Sequence, residues 1–198
     1  MKNFKLVAMI EAAFFAAFAF ILDLLPSIQL APWISISFAM VPIIILSFRR
    51  GFKVGFLSGF LWGLLQVVLG NAYYLALIQF LVEYFLAFAF VGFAGLFYKT
   101  IQTHFQSGEK KKALLWVIIA TLVGSVARYF WHFVAGVVFW GEYAPEGMSP
   151  VIYSLVVNGG TMIGAFVLCS IVLVLLLAKG SRIIRRKETE FTNQQHVS

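Results

Sequence analysis

Four polar side chains lie inside long apolar stretches of this sequence. Glu83 and Asn158 stand in two such stretches, and Arg128 and His132 share a third. An ionisable group inside a membrane-length apolar stretch marks a functional site or a buried pair by default. A carboxylate there can hold a cation or exchange a proton, and imidazole or amide groups can donate or accept hydrogen bonds. These residue types predict either a binding pocket or an acid–base pair made by Glu83 and His132.

The other components of an enzyme are missing from the sequence. It contains no G-x-x-x-x-G-K-[ST] phosphate loop, no H-E-x-x-H zinc motif and no G-x-S-x-G nucleophile motif. Its single cysteine, Cys169, lies in an apolar run, which excludes a disulfide framework or a cysteine metal site. The sequence therefore predicts no catalytic residue, no metal and no cofactor. An intramembrane enzyme that uses Glu83 and His132 is the less favoured alternative.

Aromatic residues accompany the polar ones. They are Trp33, Tyr73, Tyr74, Tyr84, Trp140 and Tyr153. Trp140 follows His132 by eight residues, which places both near one face of a helix. A carboxylate beneath aromatic rings suits a flat cation, which is attracted by the charge and by the ring faces together. An interfacial aromatic belt is the alternative reading of Tyr143 and of one residue of the Tyr73–Tyr74 pair.

The composition is that of an integral membrane protein. Hydrophobic residues make up 62% of the chain and charged residues 12%, whereas a soluble domain is about half apolar and about a quarter charged. The apolar runs reach the length that a helix needs to cross hydrocarbon. We predict an all-α membrane protein with six transmembrane helices, the first of which is retained rather than cleaved as a signal peptide. The predicted spans are 5–25, 38–48, 53–69, 75–98, 113–140 and 151–178.

The second predicted span is too short to cross a bilayer unaided. The segment 26–37 before it contains two prolines and several polar residues. Irregular backbone is tolerated at membrane depth only where it lines a cavity or is covered by protein. We therefore expect a re-entrant outer loop between helices 1 and 2 that folds back onto the bundle.

Basic residues predict the orientation in the membrane. Every Lys and Arg except Arg128 lies near a chain terminus or in the segments 49–53 and 99–112, which share one side if the chain crosses six times. Glu142 and Glu146 lie on the other side. By the positive-inside rule, both termini are cytoplasmic, and the net charge of +7 does not indicate nucleic-acid binding. We expect a six-helix membrane domain over 1–187 and a disordered cytoplasmic tail over 188–198.

With this topology, three polar side chains reach a common depth. Glu83, His132 and Asn158 each lie about eight residues from the outer end of their span, or roughly 12 Å at the helical rise per residue. Their convergence predicts a pocket that opens outward. Arg128 lies one turn deeper than His132, and we expect it in a buried ion pair. The candidate partners are Glu83, Glu11 and Asp23, and the sequence does not choose among them.

The first span carries a strip of small residues, formed by Ala12, Ala13, Ala16 and Ala17. Small residues at four-residue spacing let a second helix approach closely. The strip predicts either packing within this chain or a docking face for a partner. The chain also lacks an ATPase motif and the two similar halves that secondary transporters use. A bundle with an outward pocket and no energy-coupling machinery is typical of a capture subunit.

The sequence resembles a known family, the thiamine-specific substrate-binding (S) components of energy-coupling factor (ECF) transporters, over nearly its whole length. The matching stretches are Val41-Pro42-Ile43, Ser47-Phe48-Arg49, Gly70-Asn71 with Tyr73, Glu83-Tyr84, Arg128-Tyr129 through His132, Gly136, Phe139-Trp140, and Tyr153-Ser154-Leu155 through Asn158. Each stretch is weak alone, and together they are specific.

The resemblance implies that the chain binds thiamine near the outer surface of a bacterial plasma membrane. Glu83 and Trp140 would hold the thiazolium, and Trp33 would cover the ligand from the loop. The other implied pocket residues are His132, Tyr153 and Asn158 for polar atoms of the ligand, together with Tyr84, Gly136 and one of Tyr73 and Tyr74. The implied partners are a shared transmembrane subunit, EcfT, and two ABC ATPases. They would dock through the alanines of the first helix, as Ala12 with Ala16 or as Ala13 with Ala17.

Two further alternatives remain at this stage. One is an S component for another flat heterocycle such as riboflavin or biotin, although a buried carboxylate favours a permanent cation over a neutral or acidic vitamin. The other is a scaffolding membrane protein, which would bind no ligand.

Overall fold

The fold is a bundle of helices with one small hairpin. The computed structural model describes residues 2–31 and 34–184. Within that part of the chain, six helices follow one another, and we label them α1 to α6. They are α1 (Lys2–Asp23), α2 (Met40–Arg50), α3 (Phe52–Val68), α4 (Leu77–Gln106), α5 (Lys110–Phe139) and α6 (Pro150–Lys179). The predicted disordered tail and the end of the predicted membrane domain, 185–198, lie outside the described residues.

Four of these helices are long and apolar enough to cross a membrane. They are α1, α4, α5 and α6, whereas α3 has 17 residues. The 11 residues of α2 include an unbroken buried run from Met40 to Phe48. A helix that is apolar all round belongs in the interior of a bundle, which explains why so short a helix is stable there. The prediction of a helical membrane protein is therefore confirmed.

The segment between α1 and α2 folds as an antiparallel hairpin, which the sequence analysis did not predict. Strand β1 (Ile28–Ala31) pairs with strand β2 (Ile34–Ile36), with Ile28 opposite Ile36. The hairpin folds back onto α6, where the side chain of Ile34 lies 3.1 Å from the position that a Cβ on Gly160 would take. It thus covers the bundle as expected of the loop, but with its backbone groups paired in a short sheet.

Helix α4 departs from regular α geometry in two places. Residues Leu81–Leu86 form a π-helical turn, and Val91–Phe97 form a 3-10 turn. The helix packs against α3 across a row of glycines, among them Gly55, Gly59 and Gly63. Without side chains at these positions the two backbones come into direct contact, which places the π turn against α3.

One end of the bundle is held by charged and polar contacts. Glu11 of α1 accepts hydrogen bonds from Arg49 at 3.0 Å and from Arg50 at 2.6 Å. Gln102 of α4 donates to the carbonyl oxygens of Phe48 at 2.8 Å and Ile184 at 2.7 Å. These contacts join α1, α2, α4 and the segment after α6.

Candidate ligand-binding site

Two adjoining cavities lie within the bundle, one between α4, α5 and α6 and the other between α1, α3, α4 and α5. We call them the outer cavity, of about 660 Å³, and the inner cavity, of about 310 Å³. The outer cavity is lined by Tyr73, Leu75, Glu83, His132, Gly136, Trp140, Tyr143, Tyr153, Ser154, Val157 and Asn158. The inner cavity is lined by Asp23, Gln66, Asn71, Tyr73, Glu83, Tyr84, Phe88, Arg128, His132 and Trp140. Four residues line both, so the cavities form one continuous site.

Most residues predicted for the pocket lie around this site. The structure also distinguishes between the two adjacent tyrosines. Tyr73 lines both cavities, whereas Tyr74 is 64% exposed and packs on Phe80. Tyr84 lines the inner cavity only. The prediction for Trp33 falls on a residue outside the described part of the chain.

Glu83 is the acidic residue of the outer cavity, and its carboxylate is held from two sides. It lies in the π turn of α4, where Trp140 donates its indole Nε1–H to Oε1 at 3.1 Å. Gln79, one turn earlier on α4, donates to the other carboxylate oxygen. Two neutral donors fix the position of the carboxylate without neutralising its charge. Within residues 2–31 and 34–184, no salt bridge to Glu83 is formed.

Arg128 does not form the direct ion pair expected of it with Glu83 or Glu11. Its guanidinium lies 4.6 Å from the ring centroid of Trp62 and 4.4 Å from that of Phe88. Such cation–π contacts stabilise a desolvated guanidinium. Glu11 pairs instead with Arg49 and Arg50 at the end of the bundle. Neither ring was among the partners that the sequence predicts for Arg128, which are all carboxylates.

Asp23, the third candidate partner, lines the inner cavity together with Arg128. It accepts hydrogen bonds from Gln66 and, at 3.3 Å, from Ser37, and the charge of Arg128 acts on it through space. Asn71 donates in turn to the side-chain oxygen of Gln66 at 2.6 Å. Asp23 and Arg128 therefore line the same cavity without a direct salt bridge between them.

His132 and Asn158 present polar atoms at the wall of the outer cavity. Arg128 Nε donates a long hydrogen bond of 3.5 Å to His132 Nε2, which favours the tautomer with a proton on Nδ1. Asn158 donates to Ser154 Oγ at 3.1 Å, and Ser154 donates to the carbonyl of Phe133 at 2.8 Å. The side chain of Asn158 is thereby held toward α5.

Gly136 is needed where α5 meets α6. A Cβ at this position would overlap Ser154 Oγ and lie 2.9 Å from Asn158 Nδ2. Any larger residue would push aside the two polar side chains that border the outer cavity. Its predicted place in the pocket therefore has a packing reason.

The outer cavity offers one carboxylate, that of Glu83, together with aromatic walls and several hydrogen-bonding groups. A flat organic cation with polar substituents matches that chemistry. Among the described residues, no group of three or more metal-ligating side chains occurs.

Comparison with known proteins agrees with this chemistry. The sequence profile of the thiamine transporter protein (Thia_YuaJ) family matches residues 9–185. The chain belongs to this family. The resemblance noted in the sequence is thus confirmed.

Relatives of this thiamine transporter family match the chain over nearly its full length. It is 38% identical to the thiamine transporter ThiT of Bacillus subtilis (strain 168), over 91% of this chain and 95% of that protein. It is 37% identical to the thiamine transporter ThiT of Lacticaseibacillus paracasei (strain ATCC 334), over 93% of each chain. The solved structure of ThiT from Listeria monocytogenes superposes with a TM-score of 0.87 at 38% identity and covers 91% of this chain and 98% of that one. Because the relatives are named as transporters, the prediction that this chain is not an enzyme is confirmed.

Several residues of the site were not singled out from the sequence. In the outer cavity they are Leu75, Ser154 and Val157, and in the inner cavity Gln66, Asn71 and Phe88. The contact of Gln79 with Glu83 could have been predicted from the sequence, because residues four apart on a helix are neighbours. Gln66 lies inside an apolar span like Glu83, and the rule that selected Glu83 applies to it as well.

Proposed function

We propose that this chain captures thiamine in the outer cavity, with the thiazolium ring against the Glu83 carboxylate and the ring face of Trp140. The observation that carries the proposal is the Glu83 carboxylate, which is held by Trp140 and Gln79 and forms no salt bridge within the described residues. A fixed anion with an aromatic ring at hydrogen-bond distance gives a permanent cation both a charge and a ring face. The volume of about 660 Å³ lies in the range of small-molecule sites.

The other side chains supply the polar contacts of a heterocyclic ligand. His132, Tyr153 and Asn158 face the outer cavity from α5 and α6 and would bind the polar atoms of the aminopyrimidine. Tyr73 lines both cavities and Tyr84 lines the inner one, and the backbone N–H of Tyr73 donates to the Tyr84 hydroxyl at 2.7 Å. Trp33, which lies outside the described residues, would cover the ligand. Tyr74 has no place in the proposed pocket, since its ring packs on Phe80.

A titration with three vitamins tests this assignment. We expect the full-length protein, purified in detergent, to bind thiamine at a single site by isothermal titration calorimetry. Riboflavin and biotin are expected to give no binding heat, because neither carries a permanent cation to offset the desolvated carboxylate. Binding of riboflavin or biotin in preference to thiamine would reassign the ligand. The absence of binding by all three would favour a scaffolding role.

We further propose that delivery depends on an ECF-type complex of EcfT and two ABC ATPases. The chain carries no phosphate-binding loop of its own, so ATP-driven delivery would need other subunits. Helix α1 offers a docking face, because Ala13 and Ala17 are exposed. The other pair of alanines packs inside this chain. Ala12 and Ala16 are fully buried, and the Ala12 carbonyl accepts a hydrogen bond from Ser58. Docking is therefore assigned to Ala13 and Ala17.

We also propose that all six helices cross the bacterial plasma membrane, with both termini in the cytoplasm and the cavities facing out. The positive-inside rule supports this orientation, and α2 and α3 cross as a pair joined at Gly51. Cysteine labelling tests it against a low background, because Cys169 is buried. In intact cells, a membrane-impermeant maleimide is expected to label Glu146→Cys but to label Lys111→Cys only after permeabilisation. The reverse pattern would contradict the orientation, and labelling of both in intact cells would contradict the single crossing by α5 that the proposal places between them.

A further inference from the structure

The π turn of α4 decides where the Glu83 carboxylate points. This turn, Leu81–Leu86, contains both Glu83 and Tyr84. A π turn holds one residue more than an α turn, so it rotates the side chains on its two sides relative to each other. Glu83 reaches Trp140 at 3.1 Å from this turn, and the Tyr84 hydroxyl accepts the backbone N–H of Tyr73 at 2.7 Å. Both contacts have normal hydrogen-bond lengths, which a displacement of the turn would break.

The π turn lies directly on the backbone of α3 at one residue. A Cβ placed on Gly63 would overlap the carbonyl oxygen of Tyr84 and lie 2.8 Å from its carbonyl carbon. It would also lie 3.2 Å from the Cβ of Phe88. The obstacle is backbone rather than the end of a flexible side chain, so a methyl group at this position requires one of the two helices to move.

We infer that Gly63 is a positioning residue for Glu83, setting the depth at which the π turn seats against α3. The inference rests on the proposed function, because it gives the contact between Gly63 and the π turn a role in recognising a cation. Gly63 does not touch the cavities, and its effect acts through the Tyr84 carbonyl on the neighbouring carboxylate. A shift of about 1 Å is enough to matter, since misplacing a fixed polar group by that distance weakens its interaction with a bound molecule strongly.

The substitution Gly63→Ala separates positioning from simple packing. The probes are thiamine and an analogue in which an uncharged thiophene replaces the thiazolium. The measured quantity is the dissociation constant of the analogue divided by that of thiamine. A high ratio means that the site favours the charged ring. We expect Gly63→Ala to lower this ratio about tenfold relative to the unmodified chain, because the carboxylate no longer meets the cationic ring. A purely structural defect would weaken both ligands alike and leave the ratio unchanged.

Gly95→Ala is the matched control. Gly95 lies on the same pair of helices at the other end of their contact, where a Cβ would come within 2.6 Å of the Gly51 carbonyl carbon and 2.8 Å of the Phe52 Cα. The disturbance is of the same kind, but it is far from the π turn. We expect Gly95→Ala to lower the melting temperature while the ratio of dissociation constants stays that of the unmodified chain.

A second variant covers the case in which Gly63→Ala does not fold. In Gly59→Ala the new Cβ would overlap the Phe88 carbonyl oxygen and lie 3.0 Å from the Ala89 Cα, just beyond the π turn. This variant is expected to lower the ratio by a smaller factor. An unchanged ratio in a folded Gly63→Ala protein, or in Gly59→Ala if the first variant is lost, overturns the inference. A failure of the proposed function looks different, because the unmodified chain would then not discriminate between thiamine and the uncharged analogue.

Discussion

Replacement of Glu83 by Gln is expected to weaken thiamine binding about 10- to 100-fold, since a hydrogen bond to a charged group contributes roughly 1.5–3 kcal/mol and 1.4 kcal/mol is a factor of ten. The glutamine keeps the size of the side chain and an oxygen that can accept from Trp140 Nε1. What is lost is the negative charge, which Arg128 does not neutralise directly because it lies on the rings of Trp62 and Phe88. Titration calorimetry on the purified variant measures the change.

Tyr143→Phe is the matched control for this prediction. Tyr143 also lines the outer cavity and packs against Trp140 with ring centroids 5.6 Å apart, so its substitution removes one polar group and leaves the ring. We expect a change in affinity of less than about threefold, the size of a neutral hydrogen bond at a partly exposed site. Equal losses in the two variants would mean that charge is not what the cavity recognises.

Replacement of Ala13 by Trp is expected to abolish thiamine uptake by cells while leaving thiamine binding by the purified protein intact. Ala13 lies on the exposed face of α1, so an indole there would not disturb the bundle. It would occupy the space that a partner helix needs, because small residues permit the closest helix contacts. Uptake of radiolabelled thiamine and calorimetry on the same variant separate the two steps.

The controls for this experiment follow from the burial of α1. Phe14→Trp adds little bulk at a neighbouring position that is 65% exposed and is expected to transport normally. Ala12→Trp is unsuitable as a docking test, because Ala12 is fully buried and a large side chain there would disrupt packing in the bundle. Normal uptake in both Ala13→Trp and Ala17→Trp would remove the docking role from this face.

The helices were predictable from the sequence, while their irregularities were not. Long apolar runs predict α1, α4, α5 and α6 because composition alone decides whether a helix is stable in hydrocarbon. The π turn at Leu81–Leu86 has no local signal, since α4 contains no proline there and the turn packs against Gly63 of α3, which is distant in sequence. The hairpin did have a local sequence signal. Within each of its strands, apolar residues (Ile28 and Leu30, then Ile34 and Ile36) alternate with smaller or polar residues at the period of a strand.

The residues of the candidate site were predictable where their position along a helix determines whether they reach the cavity. Glu83, His132 and Asn158 were placed together by counting residues from the span ends, and all three line the outer cavity. Two questions lay beyond such counting. Tyr73 and Tyr74 are adjacent in a connection with no helical period, and only the fold shows that Tyr73 faces the site. Arg128 of α5 contacts the rings of Trp62 on α3 and Phe88 on α4. The spacing of residues within one helix does not reveal such contacts between helices.

The central claim is that thiamine binds against Trp140 and Glu83, and quenching of intrinsic tryptophan fluorescence tests it most directly. The detergent-purified protein is titrated with thiamine, with riboflavin and biotin alongside. We predict saturable quenching by thiamine alone, with most of the signal lost in Trp140→Ala and the midpoint moved to higher concentration in Glu83→Gln. Quenching by thiamine that is unchanged in both variants would place the ligand elsewhere in the protein and contradict the proposed site.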